Sequence, residues 1–151
     1  MVQPGTRGPE GTIGTEAAQP RHRILVTDDN VDAAASLAMM LEIMGHEVRT
    51  AHDGLEAVEV AAAFRPDIIL LDIGMPKLDG FEACRQIRGQ DWAHDVVMLA
   101  LTGWGQDAHR IESRSAGFDH HLVKPVDPTA FEKLLAGIRM RVVSPDRRGE
   151  P

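Results

Sequence analysis

An open α/β sheet, with parallel strands at its centre and helices on both faces, is the fold class this sequence predicts. Short strand-like runs of three to six residues recur five times along the chain, three of them continuously apolar. Longer segments with apolar residues at spacings of three and four lie between them, and four of the runs end in a polar residue suited to chemistry. The 151 residues suit one domain, and an apolar content of 43% excludes wholesale disorder.

The first run is Ile24-Leu25-Val26. Val31, Ala34, Leu37, Ala38, Leu41 and Met44 then fall at helical spacing, and Gly45 stands where a helix C-terminal cap is expected. Glu47-Val48-Arg49-Thr50 is a weaker, alternating run. Leu55, Val58 and Ala62 mark a second helix that ends before Arg65-Pro66. Ile68-Ile69-Leu70-Leu71 is continuous, and a third helix begins near Gly80 with Phe81, Cys84, Ile87 and Arg88. Val96 to Leu101 is the fourth run, followed by a thinly apolar helix over roughly 106–116 that carries Ala108 and Ile111. His120-His121-Leu122-Val123 is the fifth. The last helix opens at Asp127-Pro128, a capping residue followed by proline at the first helical position, and shows Phe131, Leu134, Leu135 and Ile138. Continuous runs of this kind suit parallel strands buried on both faces, joined by right-handed crossovers.

Residues 1–20 hold four Gly and three Pro, and apart from Val2 and Ile13 offer nothing large to bury. They read as a flexible tail, as do residues 142–151, which leaves a domain over 21–141. With 16 Lys and Arg against 23 Asp and Glu, the net charge is −7, a poor basis for binding nucleic acid through bulk electrostatics. The single cysteine, Cys84, allows neither an internal disulfide nor a thiolate zinc site. No apolar run approaches the roughly 20 residues that span a bilayer, and residues 1–20, without a continuous apolar stretch, do not read as a secretory signal. The expectation is a cytoplasmic protein with neither nucleic acid nor membrane as partner.

In sheets of this class ligands bind outside the carboxyl ends of the strands. There the sequence places Asp28-Asp29, Asp72, Thr102 and Lys124-Pro125. Singly these residues are a helix cap, a turn threonine and a solvated lysine. Together they bring three carboxylates to one edge, where mutual repulsion favours a bound cation. Oxygen donors without thiols favour Mg²⁺, which works with phosphate oxygens. Lys124 and the Thr102 hydroxyl add a positive charge and a hydrogen-bond donor for a phosphoryl group. A carboxylate can itself accept that group as an acyl phosphate, and Asp72 at the central strand end is the natural nucleophile.

This set, in this order and spacing, resembles the receiver domain of response regulators, the CheY-like fold. The segments LVTDDN (25–30), LLDIGMPKLDGFE (70–82), ALTG (100–103) and HLVKP (121–125) carry the likeness over about residues 22–140. The resemblance implies a flavodoxin-like three-layer sandwich with five parallel strands in the order 2-1-3-4-5. It implies that Asp72 receives a phosphoryl group from phosphohistidine on a sensor histidine kinase or a histidine phosphotransfer protein. Asp29 and Asp72 would bind Mg²⁺ directly with the backbone carbonyl of Gly74, and Asp28 through water. Lys124 would pair with the phosphoryl oxygens and Thr102 would move to report them. Met75-Pro76 and Asp79-Gly80 would shape the loop after Asp72. The first helix and a neighbouring loop would meet the partner's phosphotransfer helix. Such a protein is no enzyme beyond slow loss of its own phosphoryl group, and its output is a downstream protein target or a relay. The starting Met and short termini favour a stand-alone regulator.

Several positions depart from the family pattern. His121 stands where the family carries Tyr or Phe, and the chain has no Tyr. Its imidazole either takes over that ring's part in the switch or is a strand residue with no signalling role. Gly74 offers only its carbonyl to a metal. Trp104 shields the site, joins a partner surface or simply packs, and Gly103 leaves room for the phosphodonor. A haloacid-dehalogenase-type phosphohydrolase, which also uses Asp and Mg²⁺, is the alternative, but its second Asp is replaced here by Gly74. A flavin-binding relative would need a phosphate-cradling loop, whereas Asp28-Asp29-Asn30 repels phosphate. His22, His46, His52, His94 and His109 lack ligand spacing, and His120 and His121 point to opposite faces of a strand. Cys84, Met39, Met40 and Met44 are expected in the core.

Overall fold

The computed structural model describes residues 21–73, 75, 80–103 and 117–142. In chain order the elements are β1 (Arg23–Thr27), α1 (Val31–Ile43), β2 (Glu47–Ala51), α2 (Gly54–Phe64), β3 (Ile68–Asp72) and α3 (Gly80–Arg88). A 3₁₀ turn (Asp91–Ala93) follows, then β4 (Val97–Thr102), β5 (His120–Val123) and α4 (Pro128–Val142), the last helix expected from the sequence. All neighbouring strands pair in parallel, in the order β2-β1-β3-β4-β5, as expected. The helix expected over 106–116 lies outside the described residues.

Two apolar layers sandwich the sheet, and the period of two along each central strand divides its side chains between them. Ile24, Val26, Leu70, Leu99 and Leu101 face Leu41 of α1 and Phe131, Leu135 and Ile138 of α4. Leu25, Ile69, Leu71, Met98 and Ala100 face Ala57 and Ala61 of α2 and Phe81, Cys84 and Ile87 of α3. Burial pushes the Cys84 thiol up to about 12, so it stays protonated as a core residue. β1, β3 and β4 are thus buried on both faces. The His120–Val123 run, with two imidazoles in four residues, forms β5 at the sheet edge, where the expected order 2-1-3-4-5 places it, and all four of its residues are half-buried. Met39, expected inside, is 60% exposed, because the step of roughly 100° from buried Ala38 turns it off the buried stripe. Val31 and Leu55, at the starts of α1 and α2, also stand exposed.

Helix ends follow local chemistry. Asn30 caps α1 by accepting from the Ala33 N–H (3.0 Å), and Asp53 caps α2 through the Glu56 N–H (2.8 Å). Asp127 accepts from the Ala130 N–H (2.9 Å) and so caps α4. Gly45, just past α1, has φ +103°, the left-handed conformation that favours glycine.

Gly80 opens α3 against the end of β3. A Cβ there would lie 2.6 Å from both the Asp72 carbonyl oxygen and Ile73 Cα, backbone atoms that cannot swing aside. Gly80→Ala is therefore expected to cost about 1–3 kcal/mol, read as a lower urea midpoint. A midpoint equal to the parent's would show that α3 lifts freely from β3.

His46, between α1 and β2, is 5% exposed, and its Nδ1 accepts from the His22 backbone N–H (3.1 Å). Burial, with help from the neighbouring His22, holds its pKa below the ordinary 6.5. The unfolded chain then takes up a proton near pH 6.5 while the folded one resists it, so stability is lost as pH falls below that value. Urea midpoints are expected to drop from about pH 7.5 to about pH 5.5, and to drop less in His46→Gln.

Candidate functional site

Parallel pairing brings the carboxyl ends of all five strands to one edge. The registers Thr27↔Leu71, Asp72↔Leu101 and Thr102↔Val123 set the next residues side by side. Pairing continues one step beyond the strands: the Asp28 N–H donates to Ala51 O (3.1 Å), Ile73 N–H to Leu101 O (3.2 Å) and Lys124 N–H to Thr102 O (2.8 Å). Four strand ends thereby hold Asp28, Asp72, Thr102 and Lys124 on backbone hydrogen bonds. The Lys124–Pro125 peptide is cis.

The side chains converge. Lys124 Nζ donates to Asp72 Oδ2 at 3.0 Å and to Asp28 Oδ2 at 3.2 Å. Asp28 is 3% exposed, and its other oxygen accepts from the Asn30 N–H (2.9 Å). Asp72 is 8% exposed, whereas Asp29 faces solvent. Burial works against the Lys124 ammonium, but hydrogen bonds and attraction from Asp72 and Asp28 outweigh it and hold the pKa above 10.5. Three carboxylates against one ammonium give a formal charge of 1 − 3 = −2 in the cluster.

One oxygen each from Asp28, Asp29 and Asp72 lies within 4.8 Å of the others. That spacing is of the order of the roughly 3–4 Å between oxygens bound at 2.0–2.1 Å to one Mg²⁺, an ion that usually keeps several waters as well. An all-oxygen donor set with excess negative charge fits that ion. Gly74, whose carbonyl was the expected further ligand, lies outside the described residues, as do Pro76, Asp79 and Trp104.

Thr102 is buried, and its hydroxyl donates to Leu122 O on β5 (3.4 Å). His121 sits half-buried on β5, opposite Ala100. Beside the cluster, a cavity of about 450 Å³ opens between α1 and the segment after β5, lined by Asp28, Asn30, Ser36, Leu37, Met40 and Lys124 among others. A cavity of equal volume at the opposite sheet edge, beside Trp92 and Arg65, contains none of these strand-end residues. Sequence reasoning did not single out Asn30, whose backbone N–H holds Asp28 while its side chain caps α1. An Asn directly before a helical pattern is the signal that could have found it.

A buried carboxylate with an ammonium at 3.0 Å and room for a hard cation can accept a phosphoryl group, because the charge that arrives is neutralised from two sides. Comparisons with known proteins agree with this chemistry. The family model for the response regulator receiver domain matches residues 24–136. The response regulator MprA of Mycobacterium tuberculosis strain H37Rv is 42% identical over 130 residues, which are 85% of this chain and 54% of that protein. MprA of Mycobacterium ulcerans is 44% identical over 117 residues, 78% of this chain and 48% of its own length. The chain thus spans about half the length of the curated relatives it matches. Among solved structures, the chemotaxis protein CheY4 of Vibrio cholerae superposes with TM-score 0.73 at 31% identity, covering 79% of this chain and 99% of its own. The receiver domain of the sensor histidine kinase PA1611 from Pseudomonas aeruginosa, with a magnesium ion coordinated in its active site cleft, gives TM-score 0.70 at 33% identity over 77% of this chain and 95% of its own. A haloacid-dehalogenase reading gains no support from any of these matches. Strand order, sequence match and structural likeness all lead to one family, and this chain belongs to it: it is a response regulator receiver domain, a phosphoacceptor module of two-component signalling.

Proposed function

We propose that Asp72 accepts a phosphoryl group from phosphohistidine on a sensor histidine kinase or a histidine phosphotransfer protein. A carboxylate oxygen of Asp72 forms the new bond to phosphorus. The P–N bond to the imidazole breaks, and its electron pair returns to the departing nitrogen. The observation that carries this reading is the buried Asp72 carboxylate held by Lys124 at 3.0 Å among three converging aspartates.

In this reading Asp29, Asp72 and the Gly74 carbonyl hold Mg²⁺, with Asp28 acting through water. The ion, when bound, neutralises the phosphoryl oxygens. The magnesium reported in the cleft of the PA1611 receiver domain supports that assignment. Lys124 exchanges its carboxylate partners for a phosphoryl oxygen. Thr102 leaves Leu122 O, 3.4 Å away, to hydrogen-bond the group, and His121 on the same strand answers that shift in place of the family's aromatic ring. The output is contact with a protein target or relay to a second phosphotransfer partner. The domain's own contacts are with proteins rather than nucleic acid or membrane, in keeping with its net charge of −7, and the setting is the cytoplasm.

Incubation with Mg²⁺ and acetyl phosphate is expected to add one phosphoryl group by mass, and chelation or Asp72→Asn to abolish the gain. Lys124→Ala is expected to slow it by about 10²-fold. A phosphoryl group found on another residue would remove Asp72 from its role. For His121, the beryllofluoride-induced amide shifts along β5 are expected to shrink in His121→Ala. Shifts of undiminished size would leave His121 a plain strand residue.

A further inference from the structure

β5 delivers Lys124, yet its own sequence specifies its position weakly. It has four half-buried residues at the sheet edge. Leu122 packs against the core, but His120 and His121 are imidazoles that contribute little apolar drive. A one-residue slip moves the chain about 3.3 Å and turns every side chain to the other face. Val123 or Pro125 would then stand where Lys124 now meets Asp28 and Asp72, and neither carries a charge.

A polar clamp at the far end of β5 opposes that slip. The Asp119 N–H donates to Met98 O (2.8 Å), and Asp119 Oδ2 accepts from the Met98 N–H (2.9 Å), so the residue before β5 is tied twice to one residue of β4. The same Oδ2 accepts from Arg88 Nη2 at 2.8 Å. Arg88 Nη1 donates to Ala93 O (3.1 Å) and Val96 O (2.7 Å), and Nε to Gly117 O (3.0 Å). One guanidinium thus joins the end of α3, the 3₁₀ turn, the lead into β4 and the lead into β5. Gly117, at φ +107°, leaves it room: a Cβ there would lie 3.1 Å from Arg88 Cγ. The planar fork makes these contacts together, which a lysine cannot.

We propose that Arg88 and Asp119 are positioning residues for Lys124, fixing the register of β5 on β4 and so deciding which side chain arrives between Asp28 and Asp72. The consequence for phosphoryl transfer rests on the function proposed above; the register does not.

The test compares Arg88→Ala, Asp119→Ala and the double variant with Arg85→Ala, which removes an exposed cation paired with Glu82 at 3.3 Å on the same helix. Amide hydrogen exchange is followed at Lys124, which donates to Thr102 O, and at Arg65, which donates to Ala61 O at the end of α2. Protection at Lys124 is expected to fall at least about tenfold further than at Arg65 in both single variants, and the double to be no worse than either. Modification by acetyl phosphate is expected to slow by a similar factor, and Arg88→Lys not to restore it. Arg85→Ala should match the parent. Protection lost equally at Lys124 and Arg65, or unchanged at both, overturns the proposal. If the parent itself takes no phosphoryl group, the functional reading fails while the exchange comparison still decides the register. Should the alanine variants not fold, Asp119→Asn, which can still accept from Met98, carries the same comparison with smaller expected losses.

Discussion

Negative charge crowded at the carboxyl edge of a parallel sheet is the constraint on which this molecule turns. Asp28 and Asp72 are both buried, and two such carboxylates this close repel each other unless a cation stands between them. Lys124 is that cation, within 3.2 Å of both. The balance remains incomplete, with a formal −2 left over, and that deficit makes the edge receptive to a hard divalent ion.

Everything else in the fold serves to bring four strand ends to that edge at the right height. Two apolar layers hold the central strands, so their registers are over-determined by packing. Gly80 lets α3 approach the backbone at Asp72 more closely than any side chain would permit. The edge strand β5 has less apolar help and relies on hydrogen bonds through Asp119 and Arg88. The residue carrying the compensating charge therefore arrives on the least buried of the four site strands, and its place is set by polar geometry.

Much of this was readable residue by residue. Continuous runs such as Ile68–Leu71 announce strands buried on both faces, and Asp127-Pro128 announces a helix start, because both signals depend on near neighbours in the chain. Asp28, Asp72, Thr102 and Lys124 were recognisable because each directly follows or ends such a run. The edge position of His120–Val123 came from the family's strand order rather than from the run itself, since nothing local tells an edge strand from a central one. The exposure of Met39 escaped for a related reason: helical spacing defines a stripe, but the neighbours in space decide how wide it is.

Local pattern and spacing were enough to establish the order of the described elements, the parallel sheet and the polar residues at its carboxyl edge, since hydrophobic period and cap chemistry act over a few residues. Contacts between distant segments settled the rest. The meeting of Lys124 with Asp28 spans 96 positions, the Arg88–Asp119 clamp spans 31, and the space denied at Gly80 depends on how closely a helix is pressed onto a strand. Such relations arise when the chain closes on itself, so no window along the sequence contains them.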